Sequence, residues 1–305
     1  MNKKSLLKIL IIGGGRWGKV HLSELLKLQQ NIKITIYSKF NATQIKKKYD
    51  VKEVIVFSKI RDILTKKYDL VTIATKNKYH EKFLELFSKK NNHILTEKPF
   101  LSGLNYFLNL KKILSKKNKG IFISSPWLYN KNLIEVKNLI KNESFDYIKF
   151  VWHEKRSEIK YGQKKILDLT IPYNVDLTTH ILSITKIICP NFFKTIKKMK
   201  LIKSRITKHR DERHLSYKNK NLLLYSNRDS KISRRYIILR NERNHYQILL
   251  SNTFIEVKKK NKKVLKLKEK KNEIYLQYKK LINFKKNNNY NFYTSVIKFT
   301  ELLNK

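Results

Sequence analysis

The chain has one cysteine, Cys189, in 305 residues. An intramolecular disulfide is therefore excluded, and a reducing, cytoplasmic setting is the expectation. Long apolar runs are missing as well. Nothing approaches the roughly 20 consecutive apolar residues of a membrane-spanning helix, so no membrane partner is expected. The short run Leu6 to Ile12, after Lys3 and Lys4, is interrupted by Lys8 and ends in glycines rather than at a small-residue cleavage site, which argues against a signal peptide. Acidic residues are few: 23 Asp and Glu stand against 69 Lys and Arg, a formal charge of +46.

Such a charge would suit a nucleic-acid binder, because clustered Lys and Arg hold phosphates by releasing counterions. Here the lysines are spread along the whole chain among abundant Asn and Ile, as AT-rich coding produces, and no specific nucleic-acid partner is expected. The field should still attract anionic ligands and weaken with salt. Hydrophobic residues make up 41% and aromatics 11%, enough for two packed domains.

The first 125 residues alternate short β-rich runs with helical patterns. The runs are Lys8 to Ile12, Lys33 to Tyr37, Val54 to Phe57, Leu70 to Ala74, His93 to Thr96 and Ile121 to Ile123. Helical faces are carried by Leu22, Leu25 and Leu26, by Tyr79, Phe83, Leu86 and Phe87, and by Phe107, Leu110, Ile113 and Leu114. The expected fold is α/β: a Rossmann, doubly wound parallel sheet over residues 1–125. Residues 126–305 then read as an α+β substrate-binding domain with a largely antiparallel or mixed open sheet. Its elements are a helix at Lys131 to Lys141, a strand at Tyr147 to Trp152, a helix at Val175 to Ile188, and β-rich runs at Leu222 to Tyr225, Tyr236 to Leu239, Tyr246 to Leu250 and Phe254 to Val257. The lysine-dense stretch Lys258 to Lys271 reads as a solvated turn and edge strand. An exposed sheet face would favour a homo-oligomer.

Four of the chain's seven glycines lie within Gly13 to Gly18, directly after a strand and at the start of a helix. Gly13 permits the tight turn, Gly15 lets the backbone approach a pyrophosphate, and Gly18 lets helix and strand pack closely. The helix N-terminus offers free N–H groups and a positive dipole to phosphates. This spacing predicts dinucleotide binding. After the second strand, where an NAD-selective site places a carboxylate for the ribose 2′-OH, the chain has Ser38 and Lys39. A hydroxyl and a cation suit a 2′-phosphate, so NADP(H) is favoured, with NAD(H) left open.

Three further motifs follow in order: Ala74-Thr75-Lys76-Asn77-Lys78-Tyr79-His80, Glu97-Lys98-Pro99 and Asp176-Leu177-Thr178-Thr179-His180. Together with the glycine loop they resemble the glucose-fructose oxidoreductase and inositol dehydrogenase (Gfo/Idh/MocA-type) family. Lys76 stands for the usual proline, Thr178 for a frequent glycine, and Ser183 for a frequent aspartate. The likeness covers the first domain and the start of the second. It implies a nicotinamide-dependent oxidoreductase acting on a sugar-like CH–OH group. It also implies cofactor contacts from Gly13, Gly15, Arg16, Trp17, Gly18, Ser38, Lys39, Thr75, Asn77, His80 and Glu97, with Lys98 beside nicotinamide and substrate.

Asp176 and His180 are four apart and share one helix face. Hydride transfer at a carbinol carbon needs a partner for the hydroxyl proton, which His180 can take, while Lys98 steadies negative charge on that oxygen and Asp176 orients. Tyr173 and Trp127 are candidate pocket walls. No metal is expected, since His153, His209, His214 and His245 have no partners at ligand spacing. An imine or other carbonyl-analogue reductase, and a non-catalytic dinucleotide-binding regulator, stay open as alternatives.

Overall fold

The computed structural model describes residues 6–28, 31–49, 54–89, 93–99, 120–155, 157, 159–160, 163–164, 171–268, 272–282 and 290–303. The expected helix through Phe107, Leu110, Ile113 and Leu114 lies outside these residues. The chain divides into two compact units: unit 1 is Met1–Ser124 with Ile274–Asn287, and unit 2 is Ser125–Glu273 with Asn288–Lys305.

In unit 1, β1 (Leu7–Ile12), β2 (Ile32–Tyr37), β3 (Val54–Phe57), β4 (Leu70–Ile73), β5 (His93–Thr96) and β6 (Gly120–Ile123) make one parallel sheet in the order β3-β2-β1-β4-β5-β6. Ile9, Leu10, Ile11 and Ile12 are all 0% exposed, so the apolar run in β1 serves a strand covered on both faces. The strand order reverses between β1 and β4. Ligands of such sheets bind outside the carboxyl ends of the strands at this reversal, where the glycine loop and the Thr75–His80 loop both begin.

Helices α1 (Arg16–Leu26), α2 (Ala42–Lys48), α3 (Arg61–Leu64) and α4 (His80–Ser88) follow the strands. In α1 the buried side chains are His21, Leu22 and Leu25 beside Gly18, so a histidine shares the apolar face. The face of α4 differs from the expected one. His80, Leu84, Phe87 and Ser88 are buried while Tyr79 is exposed, because the helix starts at His80 and Tyr79 belongs to the preceding turn.

Unit 2 is built on an eight-stranded mixed sheet in the order β10-β11-β12-β7-β13-β14-β15-β16. Its strands are β7 (Tyr147–Lys155), β10 (Lys200–Ile206), β11 (Arg210–Tyr217), β12 (Lys220–Ser230), β13 (Arg234–Arg240), β14 (His245–Leu250), β15 (Phe254–Lys259) and β16 (Lys262–Lys268). Among the described strands of this sheet, only β12 and β7 run parallel. A separate short hairpin joins β8 (Ile159–Lys160) to β9 (Gln163–Lys164). The lysine-dense stretch is a turn and an edge strand: Lys260 and Asn261 take φ of 45° and 68°, the left-handed pair a tight hairpin needs, and β16 closes the sheet. Residues 269–271 of that stretch lie outside the described residues.

Strands β10 and β11 are not among the expected runs. In β11 the inward positions are Asp211, Arg213 and Leu215, and Arg213 Nε donates to Asp211 Oδ1 at 2.7 Å with both side chains 1% exposed. A buried ion pair in place of two apolar residues hides the alternation. The sheet carries α6 (Tyr173–Ile188), which packs on β11 and β12 and against α5 (Lys131–Leu139), α7 (Pro190–Ile196) and α9 (Tyr290–Leu303). Twelve of its residues are buried, five of them polar: Asn174, Thr178, Thr179, Ser183 and Thr185. Helix α8 (Glu273–Ile282) belongs to unit 1 from Ile274 onward. Among the described residues no helix is long and apolar enough to cross a membrane.

Candidate nucleotide site and catalytic residues

The glycine loop is shaped by three different constraints. Gly13 has φ +114°, and a Cβ there would lie 2.6 Å from Ala74 O, so the turn leaving β1 needs glycine both for its conformation and for its approach to β4. A Cβ at Gly18 would collide with Gly13 O, which lets α1 start directly against the turn. Gly15 is the opposite case: a Cβ would meet no atom within 4 Å. Nothing in the packing of the protein requires glycine there, and it is exposed at the N-terminus of α1. Arg16 and Trp17 follow, with the guanidinium 5.7 Å from the indole centroid.

Ser38 is turned into the loop. Its Oγ accepts the Asn41 N–H at 3.0 Å, and Asn41 Nδ2 donates to Gly14 O at 3.0 Å. A Cβ on Gly14 would collide with the Ser38 side chain. Ser38 and Asn41 thus brace the glycine loop from the end of β2. Asn41 is absent from the sequence-derived set; its only signal is an Asn immediately before a helix. Lys39 is exposed, its Nζ 5.4 Å from the Phe40 ring centroid.

On the loop after β4, Thr75 Oγ1 and Asn77 Oδ1 are buried with no hydrogen-bond partner. His80 is 2% exposed, with Nε2 3.0 Å from Thr75 O and Nδ1 3.3 Å from Pro99 O. Burial holds its pKa below the ordinary value of 6.5 against the opposing pull of those carbonyls and of Glu97. Glu97 is likewise interior, at 5% exposed. Its Oε1 faces His21 Nε2 at 2.9 Å and its Oε2 accepts the Lys98 N–H at 3.2 Å. Burial pushes its carboxyl upward, but His21, Ser124 and Lys98 more than offset this and hold it at about 2. Glu97 and His80 therefore bind protein groups at either end of the Lys98–Pro99 turn. Lys98 itself is half-buried.

Asp176 and His180 lie in unit 2 on the N-terminal half of α6, both half-buried. The start of that helix is fixed by Asp211, which accepts the Asn174 N–H at 2.9 Å, while Asn174 Nδ2 donates to Asp211 O at 2.9 Å. A carboxylate from β11 thus does the capping that Pro172 cannot. Thr178 and Ser183, two of the three departures from the pattern named above, are buried and donate to the carbonyls of Asn174 and Thr179 one turn back. The Asp176 carboxylate faces Arg228 at 3.8 Å. Arg228 is 3% exposed, donates to Ile171 O at 2.9 Å and lies 4.4 Å from the Tyr173 ring centroid.

The His180 ring stacks on Trp152 at 5.8 Å and 19°, and Trp127 stands edge-on to it at 6.4 Å. Arg235 covers Trp152 at 5.0 Å and pairs with Glu154 at 3.5 Å. Tyr173 is buried, and burial together with the Glu154 carboxylate holds its phenol well above the ordinary value of 10.0. Trp127 and Tyr173 have Trp152 and Arg228 as neighbours, and Arg235 covers Trp152; strand patterning alone marks none of these three. No group of three His, Cys, Asp or Glu side chains that could hold a metal ion occurs among the described residues.

Residues 7–125 match the model of the Gfo/Idh/MocA oxidoreductase family, described by its NAD-binding Rossmann fold. No match was found among curated proteins. Solved structures share the fold over both units. A Gfo/Idh/MocA family oxidoreductase from Vibrio cholerae superposes with a TM-score of 0.72 at 13% identity, over 97% of this chain and 96% of that one. A UDP-N-acetylglucosamine 3-dehydrogenase from Acidithiobacillus ferrooxidans gives 0.73 at 13% identity, over 97% and 95%. A 3-ketoreductase from Actinomadura kijaniata, solved with NADP and TDP-benzene, gives 0.76 at 9% identity, over 98% and 96%. The glycine loop at the sheet reversal thus lies in the segment, residues 7–125, that is similar to the NAD-binding Rossmann domain of the Gfo/Idh/MocA oxidoreductases, and the two-unit fold is shared with solved oxidoreductases.

Proposed function

We propose that the protein transfers hydride between a nicotinamide dinucleotide and a carbinol carbon of a sugar-like substrate. The observation that carries the reading is Gly15: its position is open to solvent and free of packing constraint, at a helix N-terminus beside the reversal of strand order. Gly13 and Gly18 build the turn, and the unpartnered Thr75 Oγ1 and Asn77 Oδ1 sit on the neighbouring loop. This set fits a dinucleotide. Gly13 to Gly18 and the first N–H groups of α1 would hold the pyrophosphate, and Lys39 would face a 2′-phosphate.

Bound nicotinamide would supply the hydride acceptor or donor. In the oxidising direction, His180 takes the hydroxyl proton, and in reduction it returns it. Lys98 steadies negative charge on the substrate oxygen, and Asp176, held by Arg228, orients. Ser38, Asn41, Glu97 and His80 serve by shaping the loops. A substrate with the size and polarity of a sugar or nucleotide-linked sugar agrees with the aromatic wall of Trp127 and Trp152 around His180 and with the activities named for two fold relatives. NADP(H) is the preferred cofactor, on the absence of a carboxylate after β2. Fluorescence titration with NADPH and NADH, followed by a panel of free sugars, cyclic polyols and nucleotide sugars in both directions, tests the reading. Binding of neither cofactor overturns it.

A further inference from the structure

Unit 1 contains a continuous buried chain of polar groups that the proposed reaction does not use. His21 Nε2 lies 2.9 Å from Glu97 Oε1, Tyr278 OH 2.8 Å from His21 Nδ1, and Thr72 Oγ1 2.9 Å from Tyr278 OH. Thr72, His21 and Tyr278 are 0% exposed and Glu97 is 5%. The chain joins α1, the residue before Lys98, the middle of β4 and the helix α8 from the far end of the sequence.

An ionised carboxylate only accepts, so His21 Nε2 carries the hydrogen and donates to Glu97. His21 Nδ1 is hydrogen-bonded to the Tyr278 hydroxyl, and that hydroxyl to Thr72 Oγ1. His21 and Tyr278 each have a partner on either side in the interior, so losing one link leaves a buried polar group unsatisfied.

Apolar side chains would pack α1 and α8 on the sheet without these bonds. What the chain adds is control of Glu97, whose second oxygen holds the Lys98 N–H at 3.2 Å. At the other end of the same turn, the His80 ring nitrogens lie 3.3 Å from Pro99 O and 3.0 Å from Thr75 O. We infer that His21 and Tyr278 are positioning residues for Lys98: acting through Glu97, they fix the backbone from which the lysine projects, and α8 is thereby part of the machinery that sets turnover. The inference rests on the reading of Lys98 as a catalytic residue.

The test uses the full-length protein with Tyr278→Phe, which keeps the ring and removes only the hydroxyl, and with the pair His21→Leu and His21→Gln. The glutamine keeps a donor for Glu97; the leucine does not. In Tyr278→Phe, kcat is expected to fall about three- to tenfold with KM and the NADPH dissociation constant nearly unchanged. His21→Leu should lose more, and His21→Gln should recover most of that loss. Independently of any substrate, amide hydrogen exchange at Lys98 should quicken about tenfold in Tyr278→Phe while the amides of Ile9 to Ile12 stay protected. Exchange at Lys98 as slow as in the wild type, or quickened equally along β1, overturns the inference, as does a kcat that is the same in wild type and Tyr278→Phe. A wild type that binds no nicotinamide cofactor and turns over no substrate fails the functional reading instead, and the exchange experiment still decides the role of the buried chain.

Discussion

His21 Nε2 and Glu97 Oε1 meet at 2.9 Å in the interior of unit 1, with 76 positions of sequence between them. One follows the glycine loop by a turn of helix, and the other precedes Lys98. The two segments the proposed chemistry needs most are therefore tied by a single charge-assisted bond. Removing one partner of a buried pair leaves the other charge or dipole stranded, so His21→Ala should destabilise the protein by about 3–5 kcal/mol. Tyr278→Phe should cost about 1–2 kcal/mol. Urea unfolding measures both, and a His21→Ala loss no larger than that of an exposed substitution would contradict the pair's structural weight.

The same groups set the acid response. Glu97 is held below its ordinary 4.5, at about 2, so its contribution to stability is complete above 4.5 and is lost as pH falls toward 2. His80 is also shifted down, from 6.5, because burial disfavours its charged form. Its contribution is complete above 6.5 and is lost as pH falls through its folded value. Burial shifts His93, His153 and His245 in the same direction. Tm should therefore be flat just above neutrality, decline as pH drops below about 6.5, and decline again below about 4.5. His80→Gln should make the first decline shallower. A Tm that rises on acidification from pH 7 to 5 would show the sign to be wrong.

The glycines separate folding from binding. Gly18→Ala forces a methyl against the Gly13 carbonyl and should destabilise by about 1–3 kcal/mol or more. Gly15→Val meets no protein atom, so its stability should stay within about 0.5 kcal/mol of wild type while NADPH binding weakens tenfold or more. Thermal melts with NADPH titrations read both quantities. Unchanged NADPH affinity in Gly15→Val would remove the loop from the cofactor site.

Cofactor choice rests on the corner after β2. Lys39→Glu should lower NADPH affinity several-fold to about tenfold and leave NADH affinity nearly unchanged, because only a 2′-phosphate meets the altered charge. Equal losses for both cofactors would assign Lys39 to the general positive field.

Much of this organisation is legible in the sequence, for identifiable reasons. The β1 run and Gly13, Gly15 and Gly18 announce the Rossmann unit because their spacing, directly between a strand and a helix, is itself the signal. Strand β11 is not legible: its inward positions are filled by Asp211 and Arg213, which satisfy one another and carry no apolar signal. The partnership of His21 with Glu97 and Tyr278 is hidden differently. A histidine on the apolar face of α1 reads as an ordinary interior residue, and nothing in the local sequence of α8 marks Tyr278 as a neighbour of β4. The motifs give Glu97 and His80 as cofactor contacts, whereas the geometry shows what each binds within the protein. Residue type and spacing do not reveal which way a side chain turns from a loop.

Lys98 and His180 are the proposed working groups of nicotinamide-dependent hydride transfer. Turnover tests them directly, followed by nicotinamide absorbance on the best substrate of the sugar, polyol and nucleotide-sugar panel, for wild type, Lys98→Met and His180→Ala, each with its NADPH dissociation constant. Each variant should lose about 100- to 10,000-fold in kcat with cofactor affinity nearly unchanged, and Asp176→Asn should fall between them and wild type. A wild type that binds NADPH but reduces or oxidises nothing in the panel, or variants that turn over at the wild-type rate, would contradict the account.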